Sequence, residues 1–285
     1  MSDFEDRYWS SRDGLTLHYR YYAGREDRPP LLCLPGLTRN ARDFENLAER
    51  YCGEWRVLCP EMRGRGDSDY AKDSTTYNPL QYVDDITALL EQAGIERFVA
   101  IGTSLGGLMT MVMAMTMQER IAAAVLNDIG PVIEPAGLER IQGYVGQGRN
   151  FPTWMHAARA IEEGQSVAYP DYEIADWLAM AKRLMTLSSN GRIVFDYDMK
   201  IAEPFAANDA SGDVDLWPGI AGLRGRPVLL VRGELSDILG EKTLATMTER
   251  LPEAEAVTVP RVGHAPTLDE PESVAAIGRL LARVS

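Results

Sequence analysis

The sequence predicts an α/β fold in which a mostly parallel central sheet is flanked by helices and carries an inserted helical cap. Three observations predict it. Apolar runs at 31–34, 56–59, 97–101 and 122–127 alternate with helical patterns at 41–51, 79–93 and 104–118, which is repeated strand–helix winding. The alternation resumes later, with a strand at 227–231, a helix near 240–250, a strand at 256–259 and a final helix from about 271 to 284. Between these halves, residues 131–214 hold helical segments rich in Trp154, Trp177, Met155, Met180 and Met185, broken by Gly and Pro and without a recognisable strand. The expected organisation is a core built from residues 1–130 and 215–285 with a helical cap at 131–214.

The runs that form the core strands lack polar alternation, as expected of parallel strands buried on both faces. Leu15–Tyr22 alternates in part and suits an antiparallel edge strand. Met109, Met111, Met113, Met115 and Met117 recur at every second residue, so they point around all sides of a helix, and burial beneath the sheet is the expected reason. Cys33, Cys52 and Cys59 form an odd set without a Cys-x-x-Cys pair, and two of them fall in strands, where a thiol acts as a small apolar group. Neither a disulfide framework nor a zinc site is expected.

Composition narrows the function class. A chain of 285 residues with 45% hydrophobic and 25% charged residues is ordinary for a globular protein, and no apolar run approaches the roughly 20 residues of a membrane span. The amino terminus, Met-Ser-Asp-Phe-Glu-Asp-Arg, is acidic and lacks the basic and apolar stretches of a secretory signal, so a cytoplasmic location is expected. A net charge of −13 opposes nucleic-acid phosphate and anionic lipid. Neither nucleic acid nor membrane is expected as a partner. Gly143–Gly148 is glycine-rich but follows no strand, so it gives no phosphate or dinucleotide loop.

The chemistry is concentrated at strand ends. Ser104, in Gly-Thr-Ser-Leu-Gly-Gly, lies between the buried run 98–102 and a helix, and such a strained turn needs small residues two positions either side of the serine. Gly102 and Gly106 supply both. A serine hydroxyl is a weak nucleophile at neutral pH and needs a neighbouring base, usually imidazole. Of the three histidines, His18 lies on the edge strand and His156 in the cap, and both read as structural or surface residues. His264 follows the last strand and opens onto the carboxyl edge of the sheet, where ligands bind in open α/β folds. Three carboxylates could orient it. Asp237 and Glu234 follow the strand at 227–231, while Asp128 follows the strand at 122–127 and has a structural reading as a backbone-bonding group where the cap begins.

With Leu-Pro-Gly-Leu-Thr-Arg-Asn at 34–40, Arg-Gly-Arg-Gly-Asp-Ser at 63–68, Gly-Thr-Ser-Leu-Gly-Gly at 102–107, Asp237 and His264 in that order, the chain resembles the α/β-hydrolase superfamily. It is most similar to the capped esterase, lactonase and carbon–carbon hydrolase branch, over nearly its full length. The resemblance implies Ser104 as nucleophile, His264 as general base and Asp237 as the orienting carboxylate, with Asp128 the alternative. It also implies the backbone NH groups of Leu37 and Leu105 as the oxyanion hole. Many relatives carry His-Gly where this chain has Pro35-Gly36. The implied donor is Leu37, so proline deletes no oxyanion bond, but it does remove the histidine that usually anchors the loop.

The expected activity is cofactor-free and metal-free hydrolysis of a small or medium ester or lactone through an acyl-enzyme. Tyr144, Phe151, Trp154 and Trp177 are expected to make the cap side of an apolar pocket, with Tyr144, Trp154 and Trp177 against substrate. Carbon–carbon cleavage of ring-fission products uses the same groups and is the alternative. A nucleophilic serine disfavours haloalkane dehalogenation, which uses aspartate on a similar fold. A ligand-binding protein with little turnover is the competing class, and intact nucleophile, base and acid candidates argue against it. The Arg-Gly-Asp tripeptide at 65–67 belongs to the family-like loop and gives no reason to expect cell adhesion.

Overall fold

A computed structural model describes residues 4–207 and 214–284. In chain order the core elements are β1 (Glu5–Ser10), β2 (Thr16–Tyr22), β3 (Leu31–Leu34), α1 (Glu45–Tyr51), β4 (Val57–Pro60), α2 (Pro79–Gln92), β5 (Phe98–Thr103), α3 (Leu105–Thr116) and β6 (Ile121–Asn127). An insertion follows, with α4 (Pro135–Gln142), β7 (Asn150–Phe151), α5 (Trp154–Gln165), α6 (Ile174–Leu184), β8 (Met185–Leu187), β9 (Ile193–Phe195) and α7 (Ala202–Ala207). The core then resumes with α8 (Trp217–Gly222), β10 (Val228–Gly233), α9 (Glu241–Arg250), β11 (Glu255–Val259) and α10 (Pro271–Leu281).

Eight strands form one sheet in the order β1-β2-β4-β3-β5-β6-β10-β11. The pairings β1/β2 and β2/β4 are antiparallel, and every pairing from β4 to β11 is parallel. Every residue of β3, β4, β6 and β10 is buried, which is why their sequences are apolar runs rather than alternating ones, with Asn127 and Arg232 entering near the carboxyl ends of β6 and β10. Helix ends are written locally. The Asn78 side chain accepts from the Gln81 NH with Pro79 in the first turn of α2, and Pro271 opens α10.

Three expectations are corrected here. Leu15–Tyr22 is not the edge strand: β2 is antiparallel as expected, but β1 pairs outside it and takes the edge, and Glu-Asp-Arg-Tyr-Trp-Ser is too polar to read as a strand, with Trp9 alone buried in it and its indole NH donating to the Asp85 carbonyl at 2.9 Å. The insertion is not purely helical, since β7, β9 and β8 form a small antiparallel sheet. Strands of two or three residues are too short to produce a readable period. Finally, Met109, Met111 and Met113 are fully buried in α3, but Met115 is 44% exposed. Helix α3 packs on the sheet, α2 and α8, and Met115 points away from all of that covering.

Cys33 and Cys59 are buried free thiols in β3 and β4, and Cys52 is half-buried and also free. Among the described residues, no helix is long and apolar enough to cross a membrane. Residues 208–213 of the expected cap span lie outside the described residues.

Candidate active site

The site begins at the turn between β5 and α3. Ser104 has φ 52° and ψ −113°, a left-handed conformation that few non-glycine residues adopt. The turn is enforced from both sides. A Cβ on Gly106 would stand 2.0 Å from the Leu34 carbonyl oxygen, and one on Gly102 would stand 2.4 Å from the Gly106 carbonyl oxygen, so neither position admits a side chain. The Ser104 NH donates to the Asn127 carbonyl at 3.0 Å, while its own carbonyl accepts from the NH groups of Gly107 and Leu108. These bonds hold the strained residue in place and leave its hydroxyl to the cavity above the sheet.

His264 reaches that hydroxyl from the loop after β11. Its Nε2 lies 2.9 Å from Ser104 Oγ, and its Nδ1 lies 2.8 Å from Asp128 Oδ2. The histidine loop is clamped from three directions. The Gly263 NH donates to the Ala168 carbonyl, the Tyr169 hydroxyl to the Ala265 carbonyl and the Asn127 amide to the Pro266 carbonyl.

The carboxylate partner is a correction to the sequence reading. Asp128, and not Asp237, faces His264. Asp128 is fully buried at the end of β6, where Oδ1 accepts from the Gly233 NH at 2.8 Å and Oδ2 accepts from the Ser236 hydroxyl at 2.7 Å as well as facing the imidazole. Asp237 is turned toward α4, where it accepts from Arg140 Nε and Nη2 at 2.5 and 2.8 Å. Burial alone would raise its pKa, but the Arg140 guanidinium outweighs that and holds the carboxyl below the ordinary range. Glu234 accepts from the Arg261 NH. The ambiguity has a topological cause, since β6 and β10 are hydrogen-bonded parallel neighbours whose carboxyl ends open on the same rim.

Next to the serine, the loop after β3 carries Leu37. Its carbonyl accepts from Arg65 Nε at 2.9 Å and Nη2 at 2.7 Å. The Arg65 side chain is completely buried, donating also to the Arg63 carbonyl and the Tyr82 hydroxyl and lying over the Tyr82 ring. The loop that lacks a histidine anchor at position 35 is thus held by a guanidinium from the 63–68 motif. Sequence reasoning recognised that motif but gave Arg65 no role. Leu105 is the first residue of α3, where an NH has no intrahelical acceptor.

A cavity of about 230 Å³ lies over Ser104 and His264. Of the three expected substrate contacts, only Tyr144 lines it. Trp177 is buried inside the insertion, edge-on to Tyr169 and Tyr172, and Trp154 packs on the same cluster. An apolar cluster within the insertion needs its own aromatic core, and that demand absorbed both tryptophans. Cavity residues that the sequence reading missed include Arg39, Arg149, Tyr169, Arg183, Phe195 and Tyr197. His156 bonds to the Thr153 hydroxyl at the start of α5 and does not line the cavity.

One group of possible metal ligands occurs among the described residues, His18 with Glu61 and Asp67. Two of its three side chains, those of His18 and Glu61, are already bonded within the protein. His18 Nδ1 lies 2.8 Å from Glu61 and Nε2 lies 2.9 Å from Asp6, while Glu61 also accepts from the NH groups of Ala41 and Asp67. His18 and Glu61 form a buried hydrogen-bonded pair that, with the exposed Asp6, ties β1, β2 and the 61–68 loop together.

A family model described as alpha/beta hydrolase fold matches residues 29–271. The chain belongs to the α/β-hydrolase family. Among similar proteins, this α/β hydrolase is 34% identical over 252 residues to a 3-hydroxybutyrate-oligomer hydrolase of Cupriavidus necator, covering 86% of this chain and 85% of that protein. It is 26% identical over 242 residues to a 2-(acetamidomethylene)succinate hydrolase of Mesorhizobium japonicum, covering 83% and 81% of the two chains. A solved structure of an alpha/beta hydrolase from Novosphingobium aromaticivorans matches with a TM-score of 0.96 and 67% identity, covering 100% of both chains. Membership of the family and these hydrolase-named relatives support hydrolase activity on small molecules.

Proposed function

We propose that this α/β hydrolase cleaves a small or medium carboxylic ester or lactone through an acyl-enzyme on Ser104. The observation that carries the reading is the single imidazole of His264 spanning Ser104 Oγ and Asp128 Oδ2 at 2.9 and 2.8 Å. An ionised carboxylate at Nδ1 requires the proton there, so Nε2 presents its lone pair to the serine hydroxyl. As Ser104 Oγ attacks the carbonyl carbon, its proton passes to Nε2, and the oxyanion lies against the NH groups of Leu37 and Leu105. Asp128 holds the imidazolium in place. The tetrahedral adduct then expels the alkoxide, which takes the proton from Nε2. Water loses a proton to the same nitrogen and attacks the acyl carbon, releasing the acid and restoring Ser104. Every step uses protein groups and water.

The ester reading is favoured by the Cupriavidus relative, whose name is that of an oligoester hydrolase. We also propose that the insertion at 131–214 acts as the cap, because Ile141, Phe151, Ile161, Met180, Leu184 and Phe195 from it wall the cavity. The test is a panel of p-nitrophenyl esters, lactones, hydroxybutyrate oligomers and a ring-fission dienoate, together with a fluorophosphonate probe. Ester turnover and labelling should both vanish in Ser104→Ala. Undiminished ester hydrolysis by that variant refutes the assignment, and a strong preference for the dienoate would move the activity to carbon–carbon cleavage.

A further inference from the structure

The cavity over Ser104 carries more positive charge than the protein around it can explain. Among the described residues its lining includes three arginines, Arg39, Arg149 and Arg183, but one carboxylate, Asp43. That carboxylate is taken, since Arg39 Nε and Nη2 meet its two oxygens at 2.5 and 2.7 Å. Two guanidinium groups are left over in a chain whose net charge is −13. No ion pair or side-chain hydrogen bond is found for either among the described residues. Arg149 is exposed and stands over the Phe151 ring. Arg183 is the more telling of the two, because Nε alone of its three side-chain nitrogens is buried, which leaves Nη1 and Nη2 accessible and without a hydrogen-bond partner among the described residues.

A guanidinium stays charged at any physiological pH and offers five donors in a planar fork. With Nε closed off by the surrounding protein, Nη1 and Nη2 are the donors that a ligand in the cavity can reach, and they form one side of the fork. The backbone around Arg183 is also fixed. Its carbonyl accepts from the Asn40 amide and from Arg42 Nε, each at 3.1 Å, which pins the last turn of α6 to the loop after β3. Met180, Leu184 and Met185 add apolar wall to the same cavity, and the Tyr172 hydroxyl, an ionisable group close enough to feel the Arg183 charge, makes no hydrogen bond to it.

We infer that the substrate carries a free carboxylate and that Arg183 binds it, with Arg149 adding positive charge that draws anions in. The inference rests on the hydrolase reading above and narrows it: the preferred substrates are short esters of hydroxy acids with an ionised acid end. Arg183 is then a specificity-determining residue. A carboxylate in the cavity can take two parallel hydrogen bonds from its fork, whereas a neutral carboxamide cannot take both as an acceptor pair.

The test compares 3-butanoyloxybutanoate with its carboxamide, which has the same shape and the same reacting ester. Binding is measured first, by titration calorimetry on Ser104→Ala, where turnover cannot interfere. The acid should bind about 10- to 100-fold more tightly than the amide, and the preference should collapse toward one when Arg183→Gln is added. In the active enzyme the acid-to-amide ratio of kcat/KM should fall by the same factor on Arg183→Gln. Arg183→Lys, which keeps the charge but not the fork, should retain part of the preference. Equal binding of acid and amide by the protein with Arg183 intact overturns the inference, as does a preference that survives Arg183→Gln. Absence of turnover on either compound and on p-nitrophenyl butyrate would instead count against the hydrolase reading, while the binding comparison would still decide the role of Arg183.

Discussion

Asp128 Oδ2 lies 2.8 Å from Nδ1 of His264, while Asp237, in the loop after the adjacent strand, is bonded to Arg140. The two carboxylates therefore separate by consequence. Asp128→Asn removes the acceptor that fixes the imidazole tautomer, and kcat should fall by about 10⁴ with the fold intact. Asp237→Asn breaks a partly exposed ion pair between the insertion and the core, which is worth about 1 kcal/mol or less. It should lower the melting temperature slightly and leave kcat within a few-fold. Esterase kinetics and thermal unfolding of both variants decide the matter, and a large loss of kcat in Asp237→Asn with little in Asp128→Asn would reverse the assignment.

What could be read from the sequence followed from the strength of the local signal. Buried parallel strands such as β6 and β10 announce themselves because both faces are apolar, and Ser104 is marked by glycines that no other residue can replace. The contact between Ser104 and His264 followed from both lying at the same sheet edge. Choosing between Asp128 and Asp237 needed the directions of two side chains on one rim, and that depends on Ser236 and Arg140, which are remote in sequence from one or both. The roles of Trp177 and Arg65 were hidden for a related reason. Whether an aromatic residue fills an internal cluster or faces a cavity, and whether an arginine is a surface charge or a buried brace, is fixed by tertiary packing alone.

The elbow glycines give a steric prediction. Gly106→Ala would force a methyl group to 2.0 Å from the Leu34 carbonyl oxygen, and since backbone cannot yield as a side-chain tip can, the loss of stability should reach about 3 kcal/mol or more. Gly278→Ala in α10 meets nothing within 4 Å and should instead stabilise the protein by about 0.5–1 kcal/mol. Denaturant unfolding of the two variants tests the contrast. Equal stability of Gly106→Ala and the parent protein would mean that the close approach at the elbow is not required.

Arg65 holds the Leu37 carbonyl and so anchors the loop that carries the proposed oxyanion donor, the Leu37 NH. It is a positioning residue, so its loss should appear in kcat more than in KM. Losing an oxyanion donor outright costs about 10²–10³ in kcat, and a misdirected donor should cost part of that. Arg65→Lys, which keeps the charge but cannot make both bonds, is expected to lower kcat by at least about tenfold with KM nearly constant. If the lysine variant instead raises KM at unchanged kcat, Arg65 shapes substrate binding and not the oxyanion loop.

His18 provides the pH dependence of folding. Its imidazole is 1% exposed, between Glu61 at 2.8 Å and Asp6 at 2.9 Å. Burial would depress its pKa, but the hydrogen bond and charge of Glu61, assisted by Asp6 and Asp67, more than compensate and raise it above 6.5. Burial likewise works to raise the Glu61 carboxyl, and the His18 imidazole and two backbone NH groups overcome it and hold that carboxyl below 4.5. The signs follow from linkage. A histidine raised in the folded state gives stability that is complete below about 6.5 and disappears as pH climbs through its raised value. A glutamate lowered in the folded state gives stability that is complete above about 4.5 and disappears as pH falls through its lowered value. The parent protein should therefore be most stable, relative to His18→Gln, between about pH 4.5 and 6.5. The gap in melting temperature between the two should narrow steadily from pH 6.5 upward. Melting curves of both proteins from pH 5 to 9 measure that gap, and a constant difference across the range would show that folding does not shift the titration of His18.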